Sequence, residues 1–557
     1  METVIVKNVS SLEKRFSNEK LENVKEYNSA SALRGERFSY QVAYTCPNLR
    51  GDVKKILYCR VDSPIKEYVA VSRVDLVPVR MPMYKIDADD YYISREPGLY
   101  PDLLVPITGK TQLFAVKNEY MCLRVDVEIP KDAAAGVFPI DIVLVDDHGA
   151  DAAAAHFELD IIGAVLPEQE IKVTEWFHAD CLASYYRVGI FSEEHWRIIG
   201  EFIRTAVKNG INMILTPVLT PALDTAVGGE RPTVQLVDVF LDDGEYSFGF
   251  EKLERWVKTC LELGIKYFEI AHLFTQWGAE HAPKVMATVD GEYKRIFGWE
   301  TDAAGKEYSE FLSAFLPALK AELMRLGVFE RCSFHLSDEP GGDKLENYLK
   351  VKKTVETLLE GCTIMDALSD YSFYESGALD TPVVSTDHVK AYLDAGVEDL
   401  WVYYCCCQHT KVSNRLVAMP QARNRIIGTQ FYKYRIAGFL QWGYNFYYTQ
   451  YSVEPINPYH CTDGGYFVPA GDAFSVYPAP DGSAYETLHL AAFTEALYDL
   501  RAMKLLESLA GRDAVMEIIE DGIDPITFDE YPHSDEYILN MREKINAKIK
   551  ELAGENR

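Results

Sequence analysis

From residue 192 onward the chain repeats one pattern, an amphipathic helix, a glycine, then a short apolar run, and this repeat limits the fold more than any other feature. In the clearest copy Ser192 stands as an N-cap ahead of Glu193 and Glu194. Trp196, Ile199, Phe202, Ile203, Ala206 and Val207 then share one helical face before Gly210 and the run Ile211-Asn212-Met213-Ile214-Leu215. A capping Ser satisfies an orphan N–H, early acids suit the positive helix end, and glycine takes the left-handed turn that stops it. The pattern returns as a helix over 253–263, Gly264 and a strand over 265–271. It returns twice more, over 311–326, Gly327 and 332–336, and over 345–360, Gly361 and 362–368. Such consecutive units predict a parallel sheet with crossover helices. Apolar runs at 400–404, 438–441 and 473–477 bring the total to about eight strands between 170 and 500, so the expected fold class is α/β with a (β/α)8 TIM-like barrel. An open doubly wound sheet is the alternative, weakened because no GxGxxG follows a strand and no GxxxxGK[ST] occurs.

The first 165 residues read differently. Phe38-Ser39-Tyr40-Gln41-Val42-Ala43-Tyr44 and Leu123-Arg124-Val125-Asp126-Val127 alternate apolar and polar, and Pro130, Gly136 and Asp146-Asp147-His148-Gly149 punctuate the runs. That is the pattern of an antiparallel β-sandwich. The expected organisation is a sandwich over 1–165, a barrel over 166–502 entered through Leu166-Pro167-Glu168-Gln169-Glu170, and a charged helical tail over 503–557.

Charge narrows the partners. With 85 Asp and Glu against 56 Lys and Arg the net charge is −29, a field that repels phosphate backbones and anionic bilayers, so neither nucleic acid nor membrane is expected. The start lacks a basic segment followed by an apolar run of signal length, and no stretch of about 18 apolar residues occurs, which leads us to expect a cytoplasmic protein. Eleven cysteines without CxxC spacing suggest reduced thiols, and the run Cys405-Cys406-Cys407 reads as packing at a strand end. Oligomeric state is left open, a homo-oligomer included.

Barrel enzymes carry their chemistry where strands end, and here those ends are rich in acids, aromatics and His. They include Glu175-Trp176-Phe177-His178-Ala179-Asp180, then His272, Gln276 and Trp277, then His335-Leu336-Ser337-Asp338-Glu339-Pro340. Asp366, Asp370 and Tyr371 come next, then Tyr403 and Tyr404, and last Gln441-Trp442. Two adjacent carboxylates at the end of a buried strand are costly unless one holds a proton, so Asp338 and Glu339 are the candidate catalytic pair. The plainer reading is an Asp-Glu-Pro turn that starts a helix. Ordinary glycosidases set two carboxyls across the scissile bond from separate strands, whereas neighbours on one side suit the substrate-assisted exception, in which a 2-acetamido group attacks the anomeric carbon. Like-charge repulsion from Asp338 would then keep Glu339 protonated near neutrality. Trp176, Trp277, Trp401 and Trp442 are candidates for a sugar platform, and His178 and His272 for substrate contacts. His178, Asp180, His272 and His335 could be imagined around a metal, but no HExxH-like spacing supports one, and no cofactor is expected.

The segments around Glu175 to Asp180, Leu336 to Pro340, Trp401 to Cys405, Gly438 to Trp442 and Gly471 to Pro478 resemble glycoside hydrolase family 123 and its relatives of unassigned function. The resemblance implies retaining β-N-acetylgalactosaminidases working through an oxazoline, with the Asp orienting the acetamido group and the Glu as acid/base, roles that fall on Asp338 and Glu339. It also implies a tyrosine on the acetamido oxygen, for which Tyr371, Tyr403 and Tyr404 are candidates, and a small oligosaccharide or glycoside as substrate. Residues 479–488 lack the Arg expected there, which leaves the sugar open between GalNAc and others. A different exo-glycosidase, or a carbohydrate-binding protein without turnover, are the alternatives.

Overall fold

Eight parallel strands close into a barrel in the computed structural model, which describes residues 3–50, 54–379 and 381–554. They are β1 (Lys172–Glu175), β2 (Met213–Thr216), β3 (Tyr267–Ile270), β4 (Cys332–Phe334), β5 (Thr363–Ala367), β6 (Thr381–Ser385), β7 (Trp401–Tyr403) and β8 (Gly438–Gln441), each bonded to the next and β8 to β1. At least one helix separates each strand from the next. The helix stops work as the repeat requires: Ser192 Oγ accepts the His195 N–H at the start of Glu193–Lys208, and Gly264 ends Glu251–Leu263 at φ +108°.

Two strand assignments change. Residues 473–477 are not a barrel strand: Phe474 makes an isolated antiparallel bridge with Asn445, and Tyr477 pairs with Tyr485 in a separate two-stranded ladder. The missing strand is β6, whose Thr381-Pro382-Val383-Val384-Ser385 comes after a helix of only five residues, Tyr371–Glu375, and so lacks the long amphipathic helix that marks the other units. Its proline near the strand start forgoes a single donor, which is the position where a sheet tolerates it. Two hairpins that the pattern did not foretell, Asp238–Asp242 with Glu245–Gly249 and Val285–Val289 with Glu292–Phe297, come after β2 and β3 and join into a four-stranded sheet.

Before the barrel lie two five-stranded sheets that share one core, in which Tyr40 of the first stacks on Phe157 of the second at 4.1 Å. The expected antiparallel pairing fails at one edge, where Ser29–Arg34 runs parallel to Asp151–Val165. The chain crosses there from one sheet to the other through Gly35-Glu36, and that crossing fixes the direction of the edge strand. Helix Leu488–Ala510 runs across residue 502 without a break, and Asp535–Leu552 lies against the second sheet, with Lys550 paired to Asp160 at 2.7 Å. A buried network ties the parts together. Arg124 and Arg425 both meet Glu495, at 2.8 and 2.6 Å, while Arg425 and Arg542 share Asp499, at 2.7 and 3.0 Å. Buried charges of this kind persist only when each is paired. Among the described residues no helix is long and apolar enough to cross a membrane.

Barrel closure depends on a glycine. A Cβ on Gly438 would lie 2.1 Å from the Trp401 ring on the adjacent strand. Gly438→Ala is therefore expected to destabilise the protein by about 1–3 kcal/mol, the usual cost of overpacking a core, read as a lower urea midpoint. An unchanged midpoint would mean that Trp401 yields without strain.

Candidate active site

Asp338 and Glu339 lie just beyond β4 on an irregular segment clamped from both sides. Trp277 N–H donates to the Asp338 carbonyl at 2.8 Å, and Glu339 N–H donates to the Ala367 carbonyl at the end of β5 at 2.9 Å. Just upstream, Asp366 Oδ1 accepts the N–H groups of Leu336 and Ser337 at 2.9 and 3.3 Å, and Ser337 Oγ donates to the Thr275 carbonyl at 2.9 Å. Glu339 and Trp277 hold φ of +42° and +61°, a conformation costing a non-glycine residue about 1–3 kcal/mol and seen mainly where function demands it. The next helical segment is a 3-10 turn over Gly342–Lys344 that leads into the helix from Leu345, and their N-caps are Gly341 and Lys344. The pair therefore does not cap a helix, and the plainer reading of Asp-Glu-Pro fails.

Beneath the pair the barrel interior is polar. His335 is fully buried between two carboxylates, with Nε2 2.5 Å from Glu269 Oε1 and Nδ1 3.1 Å from Asp366 Oδ1. Burial alone would lower its pKa, but the two acids outweigh it and hold the imidazole up to about 10, so it is a cation donating from both nitrogens. Glu269 also accepts from Trp176 Nε1 at 2.7 Å and Thr174 Oγ1 at 2.5 Å, and Asp366 from the Tyr348 hydroxyl at 2.6 Å. His272 stacks on His335 at 4.3 Å with its ring nitrogens unpartnered, and burial beside that cation keeps it neutral, well below the ordinary range. His272, His335 and Asp366 offer ligand atoms within 4.8 Å of one another, but a doubly donating imidazolium has no lone pair for a metal.

Above this layer opens a cavity of about 200 Å³, lined by Asp338, Glu339, Trp176, Trp277, Trp442 and Tyr403 among others. The sequence-predicted residues divide on this cavity. His178 lines it, but both its nitrogens are taken: Nδ1 accepts from Arg231 at 3.1 Å, so Nε2–H donates to the Trp442 carbonyl at 3.0 Å. Burial and then Arg231 push its pKa down to about 3. Asp180 is paired with the same Arg231 at 2.7 Å, so these two do not form a metal site with His272 and His335. Tyr404 is buried outside the cavity against Phe439, and Tyr371 packs edge-on to Tyr392, so neither hydroxyl reaches the pair. His272 lies below the cavity, in the polar layer. Trp401 begins its strand and so lines the opposite end of the barrel.

Tyr403 donates to Glu339 Oε1 at 2.6 Å. Both carboxyls of the pair sit above the ordinary carboxylate range. For Asp338 burial leads, then the charge of Glu339; for Glu339 burial leads, and the Tyr403 bond opposes it. Desolvation thus exceeds the like-charge repulsion expected from sequence. Sequence reading passed over Glu269, a lone acid inside the apolar run of β3, and Asp224, which lines the cavity, accepts the Tyr451 N–H at 3.0 Å and is raised by burial to about 6. An acid within an apolar strand was the available signal for the first. The second lies in a loop with no local mark.

Comparison with known proteins gives the family and the fold. The model of the catalytic domain of glycoside hydrolase 123 matches residues 176–506. The chain therefore belongs to glycoside hydrolase family 123, as its motifs suggested, and is a glycosidase by class. A family 123 glycoside hydrolase from Clostridium perfringens, whose structure was analysed for the details of glycolipid glycan hydrolysis, shares 15% identity over 99% of both chains with a TM-score of 0.72, a likeness of fold. A family 5 mannosidase from Rhizomucor miehei is far less similar, at 10% identity over 60% of this chain and 94% of that one with a TM-score of 0.31. No curated protein matches the sequence.

The charge on His335 can be tested through stability. Its pKa is raised from 6.5 to about 10 on folding, so it contributes stability that is complete below about pH 6.5 and lost as pH rises through about 10. His335→Gln leaves Glu269 and Asp366 without a counter-charge and is expected to cost about 3–5 kcal/mol at pH 6. Its urea-derived stability should then fall less between pH 6 and 10 than that of the parent. Equal slopes would mean that His335 is neutral.

Proposed function

We propose that this chain is a retaining β-N-acetylgalactosaminidase that uses the substrate's own 2-acetamido group as nucleophile. The observation that carries the reading is the clamped Asp338-Glu339 pair, two adjacent carboxyls with raised pKa on one wall of an aromatic cavity. Glu339, protonated through desolvation, gives its proton to the glycosidic oxygen as the acetamido oxygen attacks C1. The Asp338 carboxylate accepts the amide N–H and stabilises the positive charge that develops as the oxazoline ring closes. Glu339 then takes a proton from water, which opens the oxazoline at C1, so two inversions give retention. Of the three tyrosines, we assign Tyr403 to the acetamido oxygen, because it alone lines the cavity. Trp176 and Trp442 have their indole N–H groups fixed, on Glu269 and on Asp472 at 3.0 Å, and so present rigid apolar faces to the sugar. Trp277, 42% exposed, stands at the rim. We take a glycoside ending in β-linked GalNAc as the substrate; glycolipid glycans, on which the Clostridium protein was studied, belong to the class to try. The free thiols of Cys405, Cys406 and Cys407 support a reducing, cytoplasmic setting.

A second reading rests on Asp224, a further carboxyl in the same cavity that could face the pair as an enzyme nucleophile. A thiazoline mimic of the oxazoline separates the two, since it inhibits only where the acetamido route operates.

Glu339→Gln is expected to lower kcat/KM by 100-fold or more on substrates with poor leaving groups and far less on activated aryl glycosides, which need little protonation. Asp338→Asn should impair both. Equal losses for Glu339→Gln on both substrates would contradict its role as acid. Activity is expected near neutrality and to be unaffected by EDTA, because no step uses a cation. An alkaline limb below about pH 5, where an unperturbed carboxylic acid has already ionised, would contradict the raised pKa of Glu339.

A further inference from the structure

Three thiols stand in the wall of the cavity, and the reaction above uses none of them. Cys405, Cys406 and Cys407 lie beyond β7 in a turn closed by Gln408 N–H donating to the Cys405 carbonyl at 3.1 Å. In a strand, neighbouring side chains would alternate between faces. The turn instead gathers the three sulfurs within 4.8 Å of one another, with Cys406 Sγ and Cys407 Sγ 4.0 Å apart. All three line the cavity with Glu339, and Cys407 is exposed. The expectation of packing residues at a strand end holds for Cys405 and Cys406, which pack against the barrel's apolar clusters, but all three also line the cavity.

Metal geometry matches the spacing. Sulfur ligands about 2.3 Å from a cation lie about 3.8 Å apart when tetrahedral and about 4.0 Å apart when trigonal. Buried Asp472, which accepts the Cys406 N–H, is a further oxygen donor beside the thiols. Clustered thiolates select soft cations over magnesium or calcium.

We propose that Cys405, Cys406 and Cys407 form a three-thiolate site for a soft thiophilic cation, of the copper(I) or zinc(II) kind, and that its occupancy inhibits the enzyme. On binding, each thiol releases its proton to solvent and donates a sulfur electron pair to the metal, with no change of oxidation state. With its three thiolates the bound zinc(II) site carries a net charge of −1 and the copper(I) site −2, so the inhibition comes from space: the ion and its ligands fill part of the cavity that Glu339 also lines and hinder entry of the sugar. The inhibitory half rests on the proposed use of this cavity as the substrate site; the binding half does not.

Cadmium(II), added to the reduced full-length protein without oxygen, is the probe, followed by thiolate-to-cadmium ultraviolet absorption and, in parallel, by hydrolysis of an aryl β-GalNAc substrate. We expect one equivalent to bind with the absorption of three thiolates, affinity to fall at least 100-fold in the double variant Cys406→Ser, Cys407→Ser and in Cys407→Ala alone, and no fall in Cys461→Ser. Hydrolysis should drop in proportion to occupancy and return with EDTA. Cadmium uptake unchanged in the serine and alanine variants would overturn the site. Full occupancy with undiminished hydrolysis would overturn the inhibition, and if the parent hydrolyses no substrate, the absorption titration alone decides the site.

Discussion

The site hangs on one buried cation, the His335 imidazolium held between Glu269 and Asp366 at 2.5 and 3.1 Å. Barrel interiors are usually filled by layers of branched apolar side chains, and a layer of charge is tolerable only if every member is paired. Here two carboxylates share one cation just below Asp338. Asp338 is held above the ordinary carboxylate range first by burial and then by Glu339, with Asp366 and Glu269 adding to this and the His335 charge opposing it. Asp366 also accepts the N–H groups of Leu336 and Ser337, so the residue that helps set the charge also sets the backbone that presents the pair.

Position comes from the neighbouring strands. The loop after β3 supplies the Trp277 N–H, the end of β5 supplies the Ala367 carbonyl, and β7 brings the Tyr403 hydroxyl to Glu339. The left-handed backbone at Trp277 and Glu339 is held by these bonds and turns the Glu339 side chain into the cavity. The indole N–H groups of Trp176 and Trp442 end on buried acids, so these walls of the cavity are rigid, which reduces the ordering cost of any ligand bound against them.

Much of this was legible in the chain because helical period, capping residues and glycine stops are local signals. They mark β2 to β5 and their helices, and the residues at the downstream end of each apolar run include Asp338, Glu339, Trp176, Trp277, Trp442 and Tyr403. β6 was hidden because it comes after a five-residue helix and carries Pro382, while residues 473–477 mimicked a strand because a buried loop is as apolar as one. Choosing Tyr403 over Tyr404 needs the strand's facing, since adjacent residues point to opposite sides. Asp224 and the converging thiols depend on loop and turn geometry that sequence spacing does not encode.

The central claim is that the substrate's acetamido oxygen is the nucleophile above this charged layer. The most direct measurement is kcat/KM for aryl β-GalNAc glycosides whose N-acetyl group carries none, one, two or three fluorines. If that oxygen attacks C1, each fluorine weakens it and the rate falls steeply and regularly along the series. A flat series would place the nucleophile on the protein and contradict the roles given to Asp338 and Glu339.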